Sequence, residues 1–241
     1  MKPTLSVIIP ALNEEENIAA AVAEVLRIVE NRFANYELLL FDDGSRDRTG
    51  AIMDQLAGAN THLRVTHNPR PCNLGGVYKQ GIAMARFDYV TWVPGDNENP
   101  GRAIEPPVDA IGKADIVLPY PTNLNVRPWT RRVISCAYTF LMNLLFGQRL
   151  RYFNGTAIFR TADLRSIIIT TNSFAFQTEA LLKLLKAGRS YVEVGIEIQP
   201  RCGRRSKALH LRNLIAVPKA VARLVAEIHF NRNRPKEIGQ R

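Results

Sequence analysis

Two adjacent carboxylates close an apolar run in this chain and lead directly into a glycine turn: Glu37-Leu38-Leu39-Leu40-Phe41 is followed by Asp42-Asp43-Gly44-Ser45-Arg46-Asp47. A short apolar run of this kind reads as a buried strand, and Asp47 and Thr49 then open a helical pattern. Strand-to-helix junctions form the ligand-binding edge of open α/β sheets. The same residue types also make turns and cap helices without any ligand. Taken alone, this junction leaves both readings open.

A second junction repeats the pattern. Leu5-Ser6-Val7-Ile8-Ile9-Pro10 is rich in β-branched residues, and Ala11-Leu12-Asn13-Glu14-Glu15-Glu16-Asn17-Ile18 leads into an amphipathic helix with acidic residues in its first turn. Candidate strands end near Pro10, Asp42, His67, Val93 and Pro119. Their alternation with helical segments predicts right-handed βαβ units and an α/β fold with a mostly parallel sheet flanked by helices. With 241 residues, 46% of them hydrophobic, the chain can bury a sizeable core. No linker, low-complexity tract or internal repeat interrupts it.

The two junctions together resemble the opening of the family-2 glycosyltransferases of GT-A fold, whose first strand and later Asp-Asp-Gly-Ser hold a sugar nucleotide. The resemblance continues through Asn73-Leu74-Gly75-Gly76, ahead of a helix with Gly81 and Ala85, and through Tyr89-Val90-Thr91-Trp92-Val93-Pro94-Gly95-Asp96-Asn97-Glu98, where the family has its metal motif. Phe176-Gln177-Thr178-Glu179 and Glu193-Val194 resemble elements of the polyprenyl-phosphate sugar transferases, the group that includes dolichol-phosphate mannose synthase. The resemblance implies a Rossmann-like GT-A domain over residues 1–207 and a C-terminal amphipathic, basic helical extension over 208–241. It assigns Pro10, Ala11, Asn13 and Glu14 to the base and ribose neighbourhood, and Asp42 and Asp43 to base or ribose contacts. An Asp at a strand end can accept from ribose hydroxyls or a base N–H, and Gly44 permits close backbone approach. Asn73 and Gly76 resemble the loop that closes over the nucleotide.

A nucleoside diphosphate leaving group needs its developing charge stabilised, commonly by a divalent ion and by Arg or Lys. Asp96 and Glu98, two residues apart just past a strand end, can offer two hard oxygen ligands, which suits Mg²⁺ or Mn²⁺. Pro94 stands where the family's Asp-x-Asp begins, and an acidic turn without metal is the alternative. Arg127 and Arg131 lie where the polyprenyl-phosphate transferases carry arginines and can hold an acceptor phosphate, with Arg132 as an alternative. Such a phosphate, with a second pKa of about 6, attacks without losing a proton. A hydroxyl acceptor would need a base; Glu179 is the candidate for that base or for a sugar contact, with ordinary solvation on a helix as its other reading. Arg201-Cys202-Gly203-Arg204-Arg205-Ser206-Lys207 resembles the family's Arg-x-Gly-x-Ser-Lys loop with one residue added. Arg201, Ser206 and Lys207 are the residues that would face the diphosphate; a solvated basic loop is the alternative. Asn154-Gly155-Thr156 departs from the family's segment there and leaves the sugar pocket undefined.

Charge is divided unevenly: residues 1–126 carry 11 basic and 16 acidic residues, and residues 127–241 carry 21 and 6. A basic half suits nucleic acid, an anionic membrane or a polyphosphate ligand. No nucleic-acid-binding pattern accompanies it, so no nucleic-acid partner is expected. Two stretches combine apolar and basic residues: Val133 to Phe146, almost continuously apolar and preceded by Arg127, Arg131 and Arg132, and Leu209 to Phe230, interleaved with Arg212, Lys219 and Arg223 and divided by Pro218. The first is shorter than the roughly 20 residues of a transmembrane helix. Both read as membrane-surface helices, or as faces packed on the sheet domain or on a second copy in a homodimer. Three scattered cysteines indicate neither a disulfide framework nor a zinc site, and the amino terminus reads as no signal peptide. The expectation is a cytoplasmic enzyme, peripheral to the inner face of a membrane, that transfers a sugar from a nucleotide-diphospho-sugar to a polyprenyl phosphate with inversion. The same donor chemistry with a hydroxyl acceptor, and a non-catalytic nucleotide-sugar-binding subunit, remain as alternatives.

Overall fold

The computed structural model describes residues 3–98, 101–173, 175–199 and 221–226. Seven strands, β1 (Leu5–Ala11), β2 (Tyr36–Asp42), β3 (Leu63–His67), β4 (Tyr89–Trp92), β5 (Ile116–Pro121), β6 (Ile158–Arg160) and β7 (Tyr191–Ile196), form one sheet in the order β3-β2-β1-β4-β6-β5-β7. Pairing is parallel except at β6, which runs antiparallel to β4 and β5. The expected strand ends at Pro10, Asp42, His67, Val93 and Pro119 fall within two residues of the observed ones.

The helices are α1 (Ile18–Glu30), α2 (Thr49–Ala59), α3 (Asn73–Met84), α4 (Gly101–Asp109), α5 (Trp129–Phe146), α6 (Thr161–Arg165) and α7 (Phe176–Lys186). They cover both faces of the sheet, which is why the central strands are apolar throughout rather than alternating. Val7, Ile9, Leu38 and Leu40 join one core with Val22, Val25 and Met53. Ile8, Leu39 and Phe41 join the other with Tyr78, Met142, Phe176 and Leu181. The period-2 geometry of a strand sends neighbouring side chains to opposite cores. α1 buries Ile18, Ala21, Val22, Val25, Ile28 and Val29, one helical stripe.

At the amino edge of the sheet, Glu37 is buried at 1% exposure and accepts from Ser6 Oγ, Arg86 N and Nε, and Arg64 Nη1. Burial pushes its pKa up, but these donors outweigh burial and hold it below the ordinary glutamate value. The chain runs outward from β1 to β2 and β3, then returns to place β4 on the other side of β1. The β1/β4 crevice is therefore the point where strand order reverses, and its carboxyl end is where an open α/β sheet binds its ligand.

The C-terminal stripe is described only over residues 221–226. There Leu224 is buried in the core around Phe176, and Val221 and Val225 pack against it. This segment covers the sheet domain's apolar surface, so for these residues a membrane-facing stripe is replaced by packing on the core.

Candidate active site

Among the described residues three non-glycine residues have positive φ, Asn13 (55°), Asn73 (65°) and Asn97 (53°); they follow the carboxyl ends of β1, β3 and β4, Asn73 as the first residue of α3. Asparagine tolerates this region better than most residues, yet each such conformation must be held by its surroundings. Here the surroundings are explicit. Asn13 N donates to Ser45 Oγ (3.0 Å) and Asn13 Oδ1 accepts from Arg46 N (2.8 Å). Glu14 N donates to Thr49 Oγ1, and Glu15 exchanges bonds with Asp47 and Arg48. The segments containing Pro10-Ala11-Asn13-Glu14 and Asp42-Asp43-Gly44 are thereby stitched into one surface, with Glu14, Asp42 and Asp43 all buried.

The two aspartates of the opening motif have different local duties. Asp42 Oδ1 accepts from Ser45 N (2.9 Å) and its Oδ2 faces His67 Nδ1 (3.2 Å). Burial raises the Asp42 pKa, and the bonds from Ser45 and His67 overcome that and lower it. Asp43 Oδ1 accepts from Asn68 Nδ2 and Cys72 N, both 2.9 Å, and Oδ2 accepts from Asn73 N (3.1 Å). Asp43 thus caps α3 from a distant strand, since Cys72 makes no side-chain cap of its own. Gly44, at φ 79°, lies so close to Pro71 that a Cβ would sit 3.1 Å from its Cδ.

Asn73 and Gly76 were expected in a closing loop; they form the first turn of α3 instead. Gly76 is buried there, with the space for a Cβ filled by Cys72 Sγ at 2.8 Å. The neighbouring Gly75 abuts the backbone of Asn172, and its N–H donates to Asn172 O.

β4 delivers the acidic pair. Val93 N donates to Ile8 O and Gly95 N to Pro10 O, so the β4 exit is zipped along β1 and Asp96 emerges beside the Pro10-Ala11 end. Asp96 Oδ1 accepts from Glu98 N (3.1 Å) across the left-handed Asn97. A carboxylate or two, with the remaining positions filled by phosphate oxygens and water, is how Mg²⁺ is commonly held at a polyphosphate. Asp96 and Glu98 fit that donor set. Among the described residues no group of three or more His, Cys, Asp or Glu side chains gathers as a metal cage.

Glu179, the candidate base, is built into a buried network of donors. It is 4% exposed, and its oxygens accept from Thr170 N, Thr170 Oγ1, Thr171 N and Lys183 Nζ. Burial raises its pKa, but these donors win and lower it, which weakens it as a base. Its physical work is to brace the 170–172 segment against Gly75 of α3. Gln177 is similarly structural, accepting from Trp92 Nε1 at the end of β4 (2.7 Å).

Beyond β5 the chain brings out Arg127, whose Nη1 donates to Tyr152 Oη (2.9 Å). Arg151 also reaches this end of the sheet: it lies over the Tyr120 ring, donates to Tyr120 Oη, and pairs with Glu193. Sequence reasoning missed Arg151; the alternation of Arg149, Arg151 and Tyr152 beside Asn154-Gly155 was the available signal. Arg131 and Arg132 lie in the first turn of α5. The inner face of α5 packs through Tyr138, Met142, Leu145 and Phe146, while Trp129, Val133, Ile134, Phe140, Leu141 and Leu144 are exposed on the other side. Arg201, Ser206 and Lys207 lie outside the described residues.

A profile of glycosyl transferase family 2 matches residues 6–187. The chain belongs to this family. It is a glycosyltransferase with a GT-A-like sheet, as the strand order and the shared fold agree. It is 28% identical over 208 residues to polyprenol monophosphomannose synthase of Mycolicibacterium smegmatis, covering 81% of this chain and 77% of that one. It is 25% identical to undecaprenyl-phosphate mannosyltransferase of Micrococcus luteus, covering 80% and 83%. Against glycosyltransferase AglD of Haloferax volcanii the identity is 26%, over 82% of this chain but only 33% of the relative. The chain therefore spans about a third of AglD. Among solved structures it resembles glucosyl-3-phosphoglycerate synthase of Mycobacterium tuberculosis, crystallised with Mn²⁺, UDP and phosphoglyceric acid, at TM-score 0.65 and 18% identity, covering 92% and 78% of the two chains. The same enzyme has been crystallised with Mg²⁺ and UDP.

Proposed function

We propose that this glycosyltransferase moves a sugar from a nucleotide-diphospho-sugar to a polyprenyl phosphate at a membrane surface. The observation that carries the acceptor is α5. Six large apolar side chains stand exposed along it, Trp129 at 73%, Phe140 and Leu144 at 69% among them, directly after the Arg127–Tyr152 pair. Exposed apolar surface of this extent marks an interaction site, and arginines at its start suit a phosphate whose hydrocarbon tail lies along the helix. No helix among the described residues is long and apolar enough to cross a membrane. The two lipid-phosphate mannosyltransferase relatives support the same acceptor class.

The donor sits on the carboxyl edge. Asp42 and Asp43 hold the turn that faces base and ribose, with Pro10, Ala11, Asn13, Glu14 and Gly44 around it and the α3 start at Asn73 and Gly76 beside it. Asp96 and Glu98 would hold Mg²⁺ or Mn²⁺, which would offset negative charge on the departing diphosphate. Arg127 and Arg131 orient the acceptor phosphate. At neutral pH that phosphate is largely dianionic, its second pKa being about 6, so its oxygen attacks the anomeric carbon with no protein base, in keeping with the buried, fully engaged Glu179. The bond to the nucleoside diphosphate breaks and the sugar inverts. Arg201, Ser206 and Lys207 complete the diphosphate contacts in this reading, and the enzyme works from the cytoplasmic side as a peripheral protein.

The test is transfer of labelled sugar from UDP- and GDP-sugars into a butanol-extractable product, with polyprenyl phosphate, the matching polyprenol, and EDTA as separate arms. Product that requires both the phosphate and the metal supports the proposal. Equal transfer to the polyprenol would replace the acceptor, and no turnover with any donor would leave a binding subunit as the reading.

A further inference from the structure

One titratable side chain outside the family motifs is built into this edge. His67 ends β3 and is the cross-strand partner of Asp42. Its Nδ1 lies 3.2 Å from Asp42 Oδ2, and its Nε2 lies 3.0 Å from Asp54 Oδ1 on α2. Two carboxylate acceptors on one ring are both satisfied only by imidazolium, because a neutral ring has one N–H and one lone pair. α2 makes room for the arrangement at Gly50, where a Cβ would stand 2.7 Å from Asp42 Oδ2 and 3.1 Å from His67 Cε1. Among the described residues, the charged groups that bear on the ring are Asp54 from α2 and Asp42 from β2; their bonds, Asp54 first, outweigh partial burial and raise the His67 pKa above 6.5.

What the ring holds is the start of the nucleotide turn. Asp42 accepts from Ser45 N with its other oxygen, and Ser45 Oγ accepts from Asn13 N, so one anchored carboxylate orders both the 42–45 turn and the segment after β1. We propose that His67 is a positioning residue of the donor site, clamping Asp42 from the edge strand so that the nucleotide binds more tightly when the ring is protonated. Loss of the proton turns a lone pair toward one of the two carboxylates and releases the clamp. The inference rests on the donor reading above.

The experiment measures UDP and GDP affinity by calorimetry, with Mg²⁺ present, from about pH 5.5 to about pH 8.5, a range that spans histidine titration. It uses the wild type, His67→Gln, His67→Phe and Asp54→Asn, and follows the His67 ring by NMR with and without nucleotide. His67→Gln carries the nucleotide's own ionisation and keeps an amide donor, so it is the baseline. Relative to it, wild-type affinity falls about fivefold as the ring deprotonates, and by reciprocity nucleotide moves the ring's titration to higher pH. Asp54→Asn shifts both midpoints to lower pH together, and His67→Phe binds weakly at every pH. A wild-type profile parallel to that of His67→Gln, or a ring titration untouched by saturating nucleotide, overturns the inference while leaving the donor reading intact. Absence of nucleotide binding by the wild type at every pH removes both.

Discussion

Asp43→Asn exchanges one carboxylate oxygen for an amide nitrogen where both oxygens accept N–H donors. In either orientation the new amide group faces a donor: Asn73 N if the Oδ1 bonds are kept, or Asn68 Nδ2 and Cys72 N if they are not. The better orientation leaves the Asn73 N–H without its protein acceptor, which costs about 1 kcal/mol because this residue is exposed and water can take the place, and weakens each of the two retained bonds by about 1 kcal/mol as a charged acceptor becomes neutral. Together these terms come to about 3 kcal/mol. For a protein of this size 1 kcal/mol corresponds to about 2–4 °C in Tm, so the variant should melt about 6–12 °C below the wild type. The loss should also be local, with faster amide exchange at Cys72 and Asn73 than at the middle of α3. Thermal unfolding by circular dichroism and hydrogen exchange measure the two. A Tm within about 1 °C of the wild type would refute the view that Asp43 caps α3, and would leave its oxygens to the nucleotide alone.

Gly58 and Gly75 form a matched pair. Nothing lies within 4 Å of a Cβ at Gly58, so Gly58→Ala should gain up to about 1 kcal/mol of helix propensity, whereas Gly75→Ala meets the Asn172 backbone at 2.7–2.9 Å and should lose about 1–3 kcal/mol, both read from denaturant midpoints. Glu37 has a lowered folded pKa, so its contribution to stability is complete above the ordinary value of 4.5 and is lost as pH falls through the folded value. Urea unfolding between about pH 3 and about pH 7 should show that acid loss in the wild type and a lower, flatter profile in Glu37→Gln. Glu179→Gln should cost stability of about 2 kcal/mol and leave the shape of the pH–rate profile unchanged. Disappearance of the acidic limb of that profile would instead make Glu179 a base.

Much of the carboxyl edge of the sheet was legible in the chain because its signals are local. An apolar run followed by Asp-Asp-Gly-Ser must leave a buried strand for a turn, and five strand ends could be placed within two residues on that logic. The exposed face of α5 was also foreshadowed, since Val133 to Phe146 contains too few polar residues to supply a solvated side. Roles that depend on partners far along the chain were not legible. Glu179 looks like an ordinary helix carboxylate until Thr170 and Thr171 fold over it. Asn73 and Gly76 resemble a closing loop until Asp43 caps the turn they occupy, and Arg151 has no evident purpose until β5 and β7 bring Tyr120 and Glu193 beneath it.

Sequence by itself determined the class of fold, because it is written in runs of neighbouring residues whose hydrophobic period and turn chemistry admit few structures; the family was legible only through the resemblance of the two opening motifs. The tertiary structure decided which carboxylates are spent on holding the backbone. Asp43, Glu37 and Glu179 are each satisfied by donors that lie between 4 and 49 residues away, most of them in pairings set by strand order and helix packing. It also decided that His67, legible in the sequence only as a strand end, stands between Asp42 and Asp54, because only parallel pairing of β3 on β2 brings those groups to one edge.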